Sequence, residues 1–241
     1  MSWERCCMGL PTITMQVAEN QKFVLSSLSK VGAINHTGDI EKVSQKYFLQ
    51  EFEKIISNDN ELDHMRHKAL EICDGRGIER ITCFLLPQTK TKKSKDVSIR
   101  MAAWEDCDQI YEWQTQKNIR QFARNPEPPS YEEHKDWFKN KLNQLNAYVF
   151  IIELEGIACG IARLDEKANS TSNNAYEVSI LISKEFQEEG VAKSALKKLA
   201  DFMPHTDLIA EINPNNHASL RIFEQSGYKA HDKTWYALQR T

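Results

Sequence analysis

The sequence has no C-x2-C pair, although six of its 241 residues are cysteines. Cys6, Cys7, Cys73, Cys83, Cys107 and Cys159 fall into no regular framework, which argues against a disulfide scaffold or a cysteine zinc site and marks them as reduced thiols. Cys159 lies in an apolar strand pattern and Cys83 in an apolar helical one, where the thiol acts as a small hydrophobe. His64 and His67 stand three apart on a helical stretch, but no second ligand pair follows, so no metal is expected. No apolar run is long enough to cross a bilayer, and no membrane partner is expected. The first residues, MSWERCCMGL, lack the basic stretch and long apolar core of a secretory leader, so a cytoplasmic location is the expectation. Neither sign of charge is in large excess. A formal charge of -3 supplies no field to gather nucleic acid, which needs Lys and Arg clustered against phosphates. The remaining composition, 41% hydrophobic and 27% charged, is that of a soluble globular protein long enough for one large or two small domains.

Residues 88–95 open the stretch QTKTKKSKD, with four lysines, two threonines, a serine and nothing apolar. Such a stretch is expected to bury nothing and reads as a linker between residues 1–87 and residues 96–241. Upstream of it the pattern is α/β. Residues 11–17 form an apolar strand, residues 21–31 a helix stopping at Gly32, and residues 33–35 a short strand. Asp39 is positioned to N-cap a helix through Phe52, and DGRG at 74–77 breaks the chain before a last helix at 78–86. The runs SWERCCMGLPTITMQVAENQ and DGRGIERI resemble the last third of the UDP-sugar hydrolase of pseudaminic acid biosynthesis, a relative of GT-B glycosyltransferases. The resemblance covers residues 2–86 and implies a partial Rossmann-like segment. In it Ser2 and Glu4 match nucleotide-contacting positions, while Asn20 and Gln21 lie in the matching ENQ stretch. That family's catalytic N-terminal domain has no counterpart here, and a two-domain cleft cannot be built from one half. Residues 1–87 are therefore expected as a remnant without hydrolase activity.

Downstream, residues 97–101 alternate as a strand, and residues 105–116 form a helix with Ile110 and Trp113 on one face. Ser130 and Glu133 make an S-x-x-E capping box that opens a helix at 131–142. Two apolar strands, 147–154 and 157–164, flank a Glu155-Gly156 hairpin, and a third strand at 176–183 completes a meander. Gln187, Glu188, Glu189, Gly190, Val191 and Ala192 then read Q-E-E-G-V-A before a helical run that starts at Lys193. After a strand at 208–212, NPNNHASLRIFEQSGY gives N-x-x-S, a helix and G-Y, and a hairpin over 228–240 turns near His231-Asp232.

These two blocks resemble, in order and spacing, the Q/R-x-x-G-x-G/A signature and the second half of the GNAT N-acetyltransferases. The resemblance implies an α/β GNAT fold for residues 96–241, a mixed and mostly antiparallel sheet whose fourth and fifth strands splay apart, with acetyl-CoA as co-substrate. The turn from Gln187 to Lys193 is suited to a pyrophosphate: Gly190 and Ala192 let backbone N–H groups approach, and the helix N-terminus favours negative charge. By the same resemblance Ile180, Leu181 and Ile182 present the fourth strand's edge to pantetheine, Asn216 steadies the arm and Phe223 packs beside it.

Acetyl transfer requires a neutral amine, a polarised thioester carbonyl and a proton for the departing thiolate. Glu177 occupies a strand position where many of these enzymes carry a glutamate acting through water. Many also use a tyrosine as proton donor where this chain has Phe223, and subfamilies lacking it use the serine of N-x-x-S, here Ser219. The run ARNPEPPSYEEHKDWF resembles the EH-x-x-W region of acetyltransferases acting on a 4-amino nucleotide sugar in pseudaminic acid synthesis, and that of ribosomal-protein N-terminal acetyltransferases. The first resemblance implies a small-molecule UDP-amino sugar as partner, with Arg120 and Arg124 on its pyrophosphate and His134 or Trp137 on base or sugar. The alternatives are a peptide N-terminus and a non-catalytic acyl-CoA-binding module.

Overall fold

A computed structural model describes residues 2–167 and 175–238, and its contacts divide the chain into two units, 1–78 and 79–241. The first unit comprises α1 (Ser2–Cys7), β1 (Ile13–Gln16), α2 (Lys22–Lys30), β2 (Asn35–Asp39), α3 (Gln45–Ile56) and α4 (Asp59–Ile72), and has a small core. Strands β1 and β2 pair in parallel with α2 as their crossover. Cys6, Leu25, Leu28, Ala33, Ile34 and Ala69 are buried together. Gly32, at φ +79°, ends α2 in the left-handed conformation that a glycine adopts without penalty.

Two sequence expectations in this unit are corrected. The second strand runs over Asn35–Asp39 rather than 33–35, because Ala33 and Ile34 are taken into the core ahead of it. Asp39 is not an N-cap: its carboxylate closes a local turn by accepting from the Glu41 N–H at 3.0 Å. Helix α3 is instead capped by Ser44, whose hydroxyl accepts from the Tyr47 N–H at 3.2 Å. Helix α4, capped by Asn58 on the Glu61 N–H, is the helical stretch that carries His64 and His67.

Helix α5 (Gly77–Leu85) begins in the last two residues of the first unit and continues into the second. There follow β3 (Thr89–Lys90), β4 (Asp96–Met101), α6 (Cys107–Thr115), α7 (Lys117–Arg120), α8 (Tyr131–Asn143), β5 (Ala147–Leu154) and β6 (Ile157–Lys167). After them come β7 (Ala175–Ile182), α9 (Val191–Phe202), β8 (Asp207–Glu211), α10 (His217–Gln225), β9 (Lys229–Ala230) and β10 (Trp235–Leu238). The sheet order is β3-β4-β5-β6-β7-β8-β10-β9, antiparallel throughout except for β7 beside β8.

The period of two along β5 builds both faces of this sheet. Phe150 and Ile152 pack with Ala195, Leu196, Leu199 and Phe202 of α9, while Val149 and Ile151 pack with Ile110 and Trp113 of α6 and Phe138 of α8. Covered on both sides, β5 reads as a continuous apolar run, and each large side chain fully removed from water contributes roughly 1.5–3 kcal/mol. The buried Cys83 and Cys159 thiols are pushed up to about 11 by desolvation, so both stay protonated as apolar fillers. Ser130 and Glu133 form the expected capping box of α8. Asp232 turns the last hairpin by accepting from the N–H groups of Thr234 and Trp235, both at 2.8 Å. Residues 239 and 240, which the sequence assigned to that hairpin, lie outside the described residues. No helix among the described residues is long and apolar enough to cross a membrane.

The lysine-rich stretch at 88–95 is not a free linker. Thr89 and Lys90 pair antiparallel with Val97 and Asp96, making β3 an edge strand, and Thr89 and Thr91 are buried. Threonine and lysine alternate here, so the threonines turn inward and the lysines face water. The Thr89 hydroxyl is satisfied by donating to the Val97 carbonyl at 3.2 Å.

Candidate active site

The sheet opens at one place. Strand β7 pairs with β6 along its whole length, from Gly160↔Ile182 to Lys167↔Ala175. Its parallel pairing with β8 covers only Ala175↔Asp207, Tyr176↔Leu208 and Glu177↔Ile209, then stops. Beyond Glu177 the edge of β7 that faces β8 has no strand partner, and Ile180, Leu181 and Ile182 are half-buried along the gap. An extended ligand arm with its own amide groups can hydrogen-bond to such an edge as an added strand would.

The chain turns from β7 into α9 through two left-handed residues, Glu188 at φ +66° and Gly190 at φ +83°. The Gln187 side-chain amide donates to the Ile182 carbonyl at 3.2 Å and ties the turn to the strand end. Gly190 stands at the N-cap position of α9 with no side-chain cap, and the nearest heavy atom to a Cβ built there is 3.8 Å away. The first residues of α9 border the cleft with the positive end of the helix behind them, the arrangement that receives phosphate. Val191 is buried and anchors the helix, Ala192 is half-buried, and Lys193 is exposed. The Glu189 carboxylate is held below its ordinary value by hydrogen bonds from Lys93 at 2.9 Å and Lys95 at 3.2 Å, so its charge is neutralised at the rim.

Across the gap, Asn216 caps α10 by accepting from the Ser219 N–H at 3.1 Å. The Ser219 side chain is half-buried, and its hydroxyl has no hydrogen-bond partner among the described residues. Phe223 is buried and meets Tyr228 edge-on at 4.9 Å between ring centroids.

At the other end of the gap, Glu177 is buried between two cations: Arg124 Nη2 lies 2.5 Å from Oε1 and Lys167 Nζ 2.9 Å from Oε2. Arg124 also pairs with Glu211, and its guanidinium stands 6.0 Å from the Trp235 ring. Arg120 is turned onto its own loop and donates to the carbonyls of Asn125 and Glu127. His134 is buried, stacks on Phe138 and meets the Cys107 carbonyl through Nε2 at 3.0 Å, while its Nδ1 has no hydrogen-bond partner among the described residues. Burial pushes its imidazole below the ordinary value, which keeps it neutral. Trp137 is half-buried in the α6–α8 core with the Arg163 guanidinium 5.6 Å above its ring.

All of the acetyl-CoA, catalytic and acceptor residues named from the sequence of residues 96–241 border one cleft of about 1890 Å³. That exceeds the several hundred to roughly 1,000 Å³ of a pocket for one drug-sized ligand, so two substrates have room to meet. Glu211 and Lys167 were missed from the sequence. Lys167 pairs with the Glu177 carboxylate and Glu211 shares Arg124 with it, and the signal for Glu211 was its place two residues beyond Ile209, the β8 partner of Glu177.

A sheet split between two parallel strands, a left-handed glycine opening a helix, and a cleft joining both to a carboxylate define a coenzyme A-dependent acyltransferase. Residues 96–229 match the acetyltransferase (GNAT) domain family over more than half of the chain, and the chain belongs to that family. It is an acetyl-CoA-dependent N-acetyltransferase, with acetyl-CoA as co-substrate and amines as acceptors. The open β7 edge and the left-handed Gly190 turn at the cleft fit that co-substrate. The same fold is seen in spermidine N-acetyltransferase from Vibrio cholerae in complex with CoA and spermine, at 17% identity over 56% of this chain and 82% of that one, TM-score 0.51. It is also seen in aminoglycoside acetyltransferase AAC(6')-Ib in complex with coenzyme A, at 16% identity over 60% and 94%, TM-score 0.51. A third example is the ribosomal L7/L12 alpha-N-protein acetyltransferase RimL in complex with coenzyme A, at 14% identity over 64% and 97%, TM-score 0.50. No curated protein matches the chain.

Proposed function

We propose that the acceptor is the 4-amino group of a UDP-linked amino-deoxy sugar of the kind acetylated in pseudaminic acid synthesis. The observation that carries this reading is Arg124, an arginine at the cleft with its side chain 60% exposed and its guanidinium on Glu177. A planar, permanently charged fork suits a pyrophosphate, which would compete with the two carboxylates for it. The Glu133-His134-x-x-Trp137 run supports the same acceptor, and so does the resemblance of residues 2–86 to a hydrolase of that pathway. In this reading residues 1–87 are the remnant of that hydrolase's C-terminal segment, followed by the acetyltransferase domain.

Acetyl-CoA supplies an activated thioester carbonyl. Main-chain N–H groups on the open edge of β7 near Leu181 are the donors available to its oxygen. Glu177 accepts the amine proton through water once Arg124 moves to the pyrophosphate, while Lys167 retains the second carboxylate oxygen. Ser219 donates its hydroxyl proton to the departing sulfur, in the role that Phe223 cannot perform.

A specific observation favours a second acceptor, a cationic amine such as a peptide N-terminus. Arg124 is a cation held by Glu177 and Glu211 together, and a protonated amine would take the same place. The Arg124→Ala variant separates the two readings in steady-state assays of thiol release. With an amino-sugar nucleotide its KM for the acceptor should rise about 10-fold or more at unchanged acetyl-CoA affinity, the scale of a lost charge-assisted contact. A fall in KM, with turnover of peptides and none of the nucleotide sugar, would replace the sugar reading by the cationic one.

A further inference from the structure

The lysines around the start of α9 come from two directions. Lys193 and Lys197 lie in its first two turns, and Lys92 is carried by the hairpin that joins β3 to β4. All three are exposed, border the cleft and have no carboxylate partner among the described residues. The first turn of α9 holds no acidic residue. Cations at the positive end of a helix and close to one another are unfavourable by themselves, and an anion bound among them reverses the sign.

The hairpin is built to hold its place. The Thr91 N–H donates to the Lys95 carbonyl at 2.9 Å, and the Ser94 N–H returns to the Thr91 carbonyl at 3.0 Å. From α9, the Ser194 hydroxyl donates to the Lys90 carbonyl at 3.1 Å and Lys198 Nζ to the Pro87 carbonyl at 2.8 Å. Lys93 and Lys95 pin Glu189, the residue before Gly190. The Lys92 main-chain nitrogen therefore comes to 3.9 Å from the position of a Cβ on Gly190, at the phosphate turn itself. Lys93 and Lys95 are spent on Glu189, which leaves Lys92 as the hairpin's lysine that borders the cleft without a carboxylate.

We propose that the turn of the β3–β4 hairpin, at residues 91–95 and just before the matched acetyltransferase segment, is a second phosphate-binding wall of the acetyl-CoA site, with Lys92 pairing a phosphate of CoA opposite Lys193 and Lys197. This rests on the assignment of acetyl-CoA as co-substrate. The full chain with Lys92→Ala or Lys92→Glu is titrated with acetyl-CoA and with acetyl-dephospho-CoA by calorimetry at low and at physiological salt. Both variants should keep the wild-type melting temperature, because the side chain is exposed. Affinity should fall about 3-fold for Lys92→Ala and about 10-fold or more for Lys92→Glu, with both losses shrinking as salt rises. A loss on both ligands assigns the contact to the pyrophosphate, and a loss on acetyl-CoA alone assigns it to the 3'-phosphate. Wild-type affinity in Lys92→Glu at low salt would overturn the proposal while leaving the co-substrate in place. A wild-type protein that gives no heat with acetyl-CoA would remove both.

Discussion

Gly160 has no chemistry of its own, yet the structure makes it a sensitive control on the open edge. It lies on β6 opposite Ile182, and a Cβ built there would penetrate the Leu181 carbonyl oxygen and stand 3.1 Å from the Ile182 Cα. Carbon and carbonyl oxygen approach no closer than roughly 3.3 Å, so in Gly160→Ala the end of β7 must retreat by about 1 Å. Both strands are interior to the sheet, and the obstacle is main chain rather than a flexible side-chain tip. Overpacking of this kind costs about 1–3 kcal/mol. For a unit of this size that corresponds to a melting temperature lowered by roughly 3–10 °C. The displaced residues are those that present the pantetheine edge, and a misplacement of about 1 Å at reacting groups can cost on the order of 100-fold in rate. Gly156→Ala is the matched control. It forces a side chain on a left-handed residue, at φ +77°, a strain that Gly160 does not carry, and its Cβ meets nothing within 4 Å. Melting curves, calorimetric acetyl-CoA affinity and kcat should show both variants destabilised and only Gly160→Ala impaired in binding and turnover. Wild-type affinity and kcat in Gly160→Ala would refute the claim that this register sets the acetyl site.

Two further predictions concern other parts of the acetyltransferase unit. If Ser219 donates the proton to the leaving thiolate, Ser219→Ala should lower kcat about 100-fold with little change in acetyl-CoA affinity, and an unaltered kcat would eliminate the role. Asp106→Asn should lower stability at neutral pH by about 1 kcal/mol, since the Asp106 carboxylate accepts from Arg100 at 2.7 and 2.8 Å and Arg100 is partly exposed. Burial alone would raise the Asp106 carboxyl, but Arg100 and the Ala103 N–H hold it below its ordinary value of 3.8. Its contribution is thus complete above that value and lost as pH falls through the folded one. The melting-temperature gap between variant and wild type should narrow below about pH 4, and a gap constant down to pH 2.5 would contradict the assignment.

The acetyltransferase half was legible because its signals are local. The Ser130 box, the Glu155-Gly156 turn and the Gly190 turn each act within a few residues, and each stands where its spacing predicted. The stretch at 88–95 was misread because its inward residues are threonines, whose burial depends on hydroxyl partners that only the folded hairpin provides, the Val97 carbonyl for Thr89 and the Lys95 N–H for Thr91. Asp39 and Ser44 compete for one helix start, and composition does not say which carboxylate or hydroxyl finds a nearer backbone partner. In the site, sequence could name Glu177 and Arg124 but not their pairing, 53 residues apart along the chain. Arg120 and His134 matched a substrate-binding pattern, whereas the fold engages the first with loop carbonyls and encloses the second among aromatic rings.

The hairpin also separates inheritance from packing. The segment related to other acetyltransferases begins at Asp96, yet the compact unit that contains it reaches back to Glu79. Lys198 shows what lies between those limits: it is buried, with desolvation drawing its ammonium below the ordinary lysine value, and it donates to the carbonyl of Pro87. A graft that started at Asp96 would carry the lysine and leave its acceptor behind, stranding a charge inside the new host. Any exchange of this domain between chains must therefore take along a stretch that homology does not mark.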